Sequence, residues 1–306
     1  MIYTVTCNPA LDCTVQAGAY IEGAINAVGG CALTPGGKGV NVSRVLSALG
    51  EDTVALGFVA GSNGALLQSA LHGMGLHTDF IPLEEGQTRI NVKLSGTVET
   101  QLNAPGAPVF PAALDALLAK LGGLACDGTD TVCLCGSLAP GMSADAYGRM
   151  LAAVECAYTV VDTTGGALLA ALAYRPWLIK PNREELEALV GETLPTPEAV
   201  IAAAESLMAK GARNVLVSLG GDGALWCGED GERLYQPAPT GQVIGTVGAG
   251  DSTVAGFVAG WHRYGDAANA LRLGVACGSA TAFAHGLAEA EGIAAVLDRL
   301  PEMKRI

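Results

Sequence analysis

Asp251 lies in TVGAGDSTVAGF, residues 246–257, a single carboxylate among small residues directly before an apolar run of helical length. Gly248, Ala249 and Gly250 have no bulky side chains, so their amides can converge at the start of that helix, where unpaired N–H groups and the helix dipole favour an anion. Such a turn makes an anion hole for a phosphoryl group in transfer. An acid at the same spot would take the proton of an attacking hydroxyl. A carboxylate is a strong enough base, because a loose phosphoryl-transfer transition state needs little early deprotonation. Taken alone, Asp251 reads first as a helix N-cap.

Other residues could serve the same chemistry. In PGGKGVNVSRVLSALG, Gly36, Gly37 and Gly39 precede an amphipathic helix, and the loop is not a Walker A motif because Gly39 follows Lys38 where Ser or Thr is needed. The first hundred residues hold four cations: Lys38, Arg44, Arg89 and Lys93. Charges that served only solubility would be spread more evenly, so a reserved anionic group, a phosphate, is expected, with a solvated hairpin face as the competing reading. Asp12 follows the first strand and the turn Asn8-Pro9-Ala10. Asp162 ends the strand of VVDTTGG and reads as a cap for the next helix. In KPNREEL, Asn182 and Glu185 have the spacing of a capping box, and the same spacing lets an acid hold hydrated magnesium through water. SLGGDGALW surrounds Asp222 with Gly220, Gly221 and Gly223, a turn that admits nucleotide phosphates or simply leads into the next strand.

These residues need a scaffold, and the chain supplies a rhythm of strand-length apolar runs followed by Ala/Leu-rich helical segments: IYTVT then VNVSRVLSALG, TVALGFV then GALLQSALHGMG, TVCLCG then ADAYGRMLAAVE. That order predicts a mostly parallel sheet with helices on both faces, whose ligands bind beyond the C-terminal strand ends. TRINVKLSGTVETQLN breaks the rhythm. Arg89, Asn91 and Lys93 alternate with Ile90, Val92 and Leu94, and a Ser95-Gly96 turn is expected before a second alternating run. With CTVQAG and AVGGCALT this makes a small secondary sheet.

Composition excludes several classes. The 306 residues are half apolar with a net charge of −13, which argues against nucleic acid or an anionic membrane surface as partner. No run of about 18 apolar residues occurs, and the N-terminus has no basic segment before a hydrophobic one, so a cytoplasmic protein is expected. The nine cysteines include no CxxC pair and read as reduced, mostly buried thiols, with Cys133 and Cys135 as core. No GxGxxG follows the first strand, which disfavours a dinucleotide-binding dehydrogenase.

Taken in order, GGKGVNVSR, TRINVKL, CGSLAPG, KPNREEL, SLGGDG and TVGAGDSTVAGF resemble the PfkB (ribokinase-like) sugar kinases over essentially the whole chain. TCNPALD and VETQLNAPG are similar to the branch that phosphorylates ketohexose phosphates. The resemblance implies one ribokinase-like domain over 1–306, a three-layer α/β/α Rossmann-like body with a β-sheet lid from about 12–34 and 87–104, often shared across a homodimer. It implies ATP-dependent transfer to the 6-hydroxyl of fructose 1-phosphate, with tagatose 6-phosphate and fructose 6-phosphate as alternative acceptors. Carried over by residue, Asp251 is the base and Gly248 to Gly250 the anion hole. Asp12, Gly37, Asn41, Asn91 and Ser137 hold the sugar, and Lys38, Arg89 and Lys93 its phosphate. Lys180, Asn182, Ser218, Gly220, Gly221, Asp222 and Gly223 face ATP, and Glu185 organises Mg2+ through water. Two departures stand out: Asn26-Ala27 where the family usually has Asn-Arg, and Ala139 where it usually has Pro after Gly-Ser-Leu. A sensor without catalysis would lack the base or the anion hole, and both are present.

Overall fold

The computed structural model describes residues 1–18, 20–96 and 100–306, with backbone alone at 17, 18, 95 and 96. In chain order the strands are β1 (Ile2–Thr6), β2 (Ala10–Gly18), β3 (Gly30–Gly36), β4 (Thr53–Ala60), β5 (His77–Leu83), β6 (Arg89–Gly96), β7 (Thr100–Asn103), β8 (Thr131–Cys135), β9 (Tyr158–Asp162), β10 (Leu178–Ile179), β11 (Asn214–Ser218), β12 (Ala224–Cys227), β13 (Arg233–Gln236) and β14 (Lys304–Arg305). The helices are α1 (Lys38–Ala48), α2 (Gly61–Gly73), α3 (Pro111–Gly122), α4 (Ala146–Ala153), α5 (Gly165–Leu172), α6 (Arg183–Val190), α7 (Pro197–Ala209), α8 (Ala249–Tyr264), α9 (Ala267–Ala282) and α10 (Ala290–Leu297).

The large sheet runs β14-β13-β12-β11-β10-β9-β8-β1-β4-β5, parallel from β5 to β11 and antiparallel beyond. Its central strands are buried and mostly apolar because both faces are covered. Alternation divides them: Val132, Leu134, Val161, Val215 and Val217 point into one core, with Leu117, Tyr147 and Leu207 from α3, α4 and α7. Cys133, Cys135, Val160 and Leu216 point into the other, with residues of α1, α8 and α9. Cys133 and Cys135 are thus core residues, as expected.

Small residues let α8 lie close against α9. A Cβ on Gly256 would come 2.5 Å from Leu273 O and 2.6 Å from Cys277 Sγ, and one on Gly260 would come 2.6 Å from Ala270 Cα. Further along α8, Phe257 stacks on Trp226 and lies within 6.2 Å of Trp177, which ties the helix to the sheet. These contacts fix the middle of α8 against α9 and the sheet.

A second sheet, in order β3-β2-β6-β7, has β2 and β6 parallel at its centre and antiparallel strands outside. Asp12 sits beside Asn91 and Thr34, whereas Cys13 sits beside Val92 and Leu33. Alternation makes one face polar and the other apolar. On the apolar face Leu11 packs with Val40, Val59 and Leu67, while Leu33 and Ile90 are exposed.

Two expectations are corrected. The turn expected at Ser95-Gly96 is not there: β6 continues through Gly96, pairing with β2, and the connection falls on residues outside those described. The cysteines are not all free: Cys126 and Cys156 form a disulfide across a Cα separation of 5.1 Å. These residues lie in the segments leading into the parallel neighbours β8 and β9, so distant positions in sequence end side by side.

Candidate active site

Gly248 occupies the N-cap of α8 at φ 82°, a left-handed conformation that glycine adopts at little cost. Asp251 is then the third helical residue rather than the cap. Its side chain does not bond the helix start. It is buried, and its Oδ2 accepts a 2.8 Å hydrogen bond from Asn41 Nδ2 of α1. The Gly250 and Asp251 amides fall in the first turn, where no helical carbonyl precedes them. The Ala249 amide instead donates to Thr246 O at 3.2 Å.

Asp162, expected to cap α5, has a different place. Thr164 is the N-cap residue and no side chain caps that helix. The Asp162 carboxylate is fully buried at the end of β9, where Oδ1 receives Lys38 Nζ at 3.0 Å and lies 3.5 Å from Lys180 Nζ. Its Oδ2 has no partner among the described residues. Lys38 also lies 3.9 Å from Glu185. Burial works against the Lys38 charge, but Asp162, Asp251 and Glu185 together outweigh it and raise its pKa. The same crowding acts on the acid: burial first and then the Asp162 charge push Asp251 up to about 6, against the opposing pull of Lys38, Asn41 and Lys180.

A cleft of about 790 Å³ opens from Asp251, Gly250 and Ala249 past Lys38 and Lys180 to Ser218, Gly220, Gly221 and Gly223. Asn182 and Glu185 cap α6 reciprocally, Glu185 N to Asn182 Oδ1 at 2.7 Å and Asn182 N to Glu185 Oε2 at 2.9 Å, leaving Glu185 Oε1 directed towards Lys38. The 220–222 segment is a tight 3₁₀ turn, and at Gly223, φ 104°, a Cβ would run into the Gln236 carbonyl. Asp222 pairs with Arg183 at 3.1 Å, and Arg183 also lines the cleft. Beyond the glycines the lining becomes apolar with Pro239, Val243, Val275 and Phe283, which suits a flat heterocycle.

The polar face of the second sheet gathers another set of the expected residues. Asp12 accepts from Asn91 Nδ2 at 3.0 Å and from Lys93 Nζ at 2.7 Å. Arg89 is anchored by Nη2 to Asn8 O at 2.9 Å and by Nη1 to Ala104 O at 3.3 Å. Its Nε, like Asn91 Oδ1, is buried without a partner among the described residues. Gly36 leaves room for Asp12, since a Cβ there would overlap its carboxylate, and a Cβ on Gly37 would come 2.9 Å from Thr6 Cγ2. Ser137 is exposed in the loop after β8, next to Gly136, whose Cβ position would be 3.6 Å from Lys38 Cβ.

The expected residues therefore fall into two groups. Lys38, grouped by sequence with Arg89 and Lys93, stands instead with Lys180 and Glu185 at the cleft. Sequence reading missed the Asp162 ion pairs and Arg183. A carboxylate at the C-terminal end of a parallel strand was the available signal for Asp162, and it is shared by Asp residues with no such role.

An acid at a helix start, two lysines and a glycine-lined cleft beyond the ends of parallel strands define an α/β phosphotransferase whose acceptor is an alcohol. The pfkB family of carbohydrate kinases matches residues 8–292, and the chain belongs to that family. It is 38% identical over 306 residues to 1-phosphofructokinase of Bacillus subtilis, covering 99% of each chain, and 37% identical over 284 residues to that of Escherichia coli K12, covering 90% of this chain and 88% of the other. The crystal structure of Escherichia coli phosphofructokinase-2 in complex with fructose-6-phosphate superimposes with a TM-score of 0.89 at 28% identity, covering 98% of each chain.

Proposed function

We propose that this protein phosphorylates the 6-hydroxyl of fructose 1-phosphate with ATP, giving fructose 1,6-bisphosphate and ADP. The observation that carries this reading is the buried Asp251 carboxylate. It is aimed by Asn41 and sits beside first-turn amides at the mouth of a cleft that also holds Lys38 and Lys180. The likeness to 1-phosphofructokinases over nearly the full length supports the choice of acceptor.

In this mechanism the acceptor hydroxyl sits against Asp251, which takes its proton as the bond to phosphorus forms. The Gly250 and Asp251 amides and the two lysines receive the charge of the phosphoryl group in transfer. Asp12 and Asn91 bind sugar hydroxyls, while Arg89 and Lys93 face the phosphate already present. ATP lies along Ser218 and Gly220 to Gly223, with its base at the apolar end near Phe283.

The donor set fits magnesium. Glu185 lines the cleft with Oε1 outside the α6 cap, a hard oxygen donor of the kind that an ion keeping its waters takes. Glu185 would hold it through water, and bound magnesium supplies neutralisation of the triphosphate charge. We also propose a homodimer through the exposed apolar lid face of Leu33, Ile90 and Leu102. A cytoplasmic location belongs to the same reading, since both substrates are phosphorylated and do not cross membranes unaided. Among the described residues no helix is long and apolar enough to span one.

An ATP-coupled assay with fructose 1-phosphate, tagatose 6-phosphate and fructose 6-phosphate tests the reading. The highest kcat/KM is expected with fructose 1-phosphate; equal rates with all three would defeat the choice.

A further inference from the structure

The apolar face of the lid carries a feature that phosphoryl transfer does not use. Cys13 on β2 and Cys31 on β3 lie diagonally across the antiparallel ribbon, Cys13 opposite Leu33 and Val15 opposite Cys31. Their sulfur atoms are 3.2 Å apart. Neither thiol joins a metal cluster among the described residues, and Cys31 is exposed. Asp12, one residue from Cys13, points to the opposite, polar face, where it holds Asn91 and Lys93.

We propose that Cys13 and Cys31 form a reversible disulfide, made with a low-molecular-weight disulfide such as oxidised glutathione, that adjusts the sugar-facing side of the lid. One cysteine thiolate attacks a glutathione sulfur, forms a mixed disulfide and releases one glutathione thiolate. The second cysteine, losing its proton, attacks the mixed disulfide and releases the other. The two cysteine sulfurs lose two electrons, glutathione disulfide gains them, and the two thiol protons end on the two glutathiones.

Distance sets the consequence. A sulfur–sulfur bond is about 2.0 Å long, so the atoms must close by roughly 1 Å. Diagonal strand neighbours are usually about 7–8 Å apart at Cα, slightly more than most disulfides span, so forming the bond draws β2 and β3 together at this point. Because β2 carries both Cys13 and Asp12, any share of that movement taken by β2 shifts Asp12 relative to Asn91 and Lys93. A second copy seated on this face would slow the oxidation but would leave the pairing within one ribbon unchanged.

The whole protein, equilibrated over a range of reduced to oxidised glutathione ratios, then alkylated and mapped by mass spectrometry, tests the pairing. The expected result is loss of two alkylatable thiols, a Cys13–Cys31 linked peptide, and return of both thiols with dithiothreitol. Alkylation of both residues at every ratio, or glutathione adducts on Cys31 alone, would overturn it. The kinetic arm rests on the fructose 1-phosphate reading, whereas the peptide map does not. Oxidation should raise the sugar-phosphate KM roughly tenfold with the ATP KM unchanged, and Cys31→Ser should be insensitive to glutathione ratio. A linked peptide with no change in KM would overturn the effect on the lid.

Discussion

Asn41 and Asp251, 210 residues apart, meet in a 2.8 Å hydrogen bond that joins the first helix of the chain to the start of α8. Asn41 belongs to α1, which begins two residues after Gly36, the glycine at the end of β3 that makes room for Asp12. The bond also lowers the Asp251 pKa against the burial that raises it.

Replacing Asp251 with Asn keeps the shape of the side chain and removes its basicity. We expect kcat to fall by about 10³-fold, within the range for a lost general base, with both substrates bound to within a few-fold of wild type. Steady-state kinetics and titration calorimetry read the two quantities. Unchanged turnover would exclude Asp251 as base.

The acid limb of kcat/KM should fall tenfold per pH unit below about 6, where Asp251 takes up its proton. Asn41→Ala removes a bond that favours the carboxylate, so the limb should move to higher pH. A limb that stays in place would show that another group governs it.

Stability should follow the same group. The folded pKa of Asp251 lies above the unfolded value near 3.8, so the folded state binds the extra proton, and stability is lost as pH rises from about 4 through about 6. Asp251→Asn should therefore stabilise the protein at pH 8 by about 1–3 kcal/mol, the order of a two-unit shift. The gain should vanish near pH 4 in denaturant titrations.

Asp162→Asn leaves Lys38 and Lys180 without the carboxylate they share. A loss of about 3–5 kcal/mol is expected from breaking a buried ion pair on one side. Since the Asp162 charge raises the Asp251 pKa, the acid limb of the variant should move to lower pH. Asp162 as a mere helix cap would give no movement of the limb.

The Cys126–Cys156 disulfide closes a loop with a sequence separation of 30. Chain entropy alone makes that worth about 3–4 kcal/mol. The Cys126→Ser, Cys156→Ser double variant should unfold at correspondingly lower denaturant, with kcat unchanged because the bond lies away from the cleft.

Much of the architecture is legible from local pattern. Apolar strands followed by amphipathic helices, glycines before α1 and α8, and the Asn182–Glu185 spacing all act within a few residues, and periodicity and spacing record such interactions. The alternation of Arg89, Asn91 and Lys93 with apolar residues likewise marks the polar and apolar faces of the lid. Local pattern misplaces the end of β6, since Ser95-Gly96 has turn chemistry but pairing with β2 carries the strand through it.

Local sequence dictates which chemical groups stand at the ends of strands and the starts of helices. Tertiary structure alone decided how they pair. Lys38 joins Asp162 and Glu185 rather than the lid cations, Asp162 is an ion-pair centre rather than a cap, and Cys126 finds Cys156. The reason is physical: hydrogen-bonded turns and alternating faces are set by neighbours in the chain, whereas an ion pair or disulfide depends on which strand lies next to which. That order is imposed by packing both faces of the sheet.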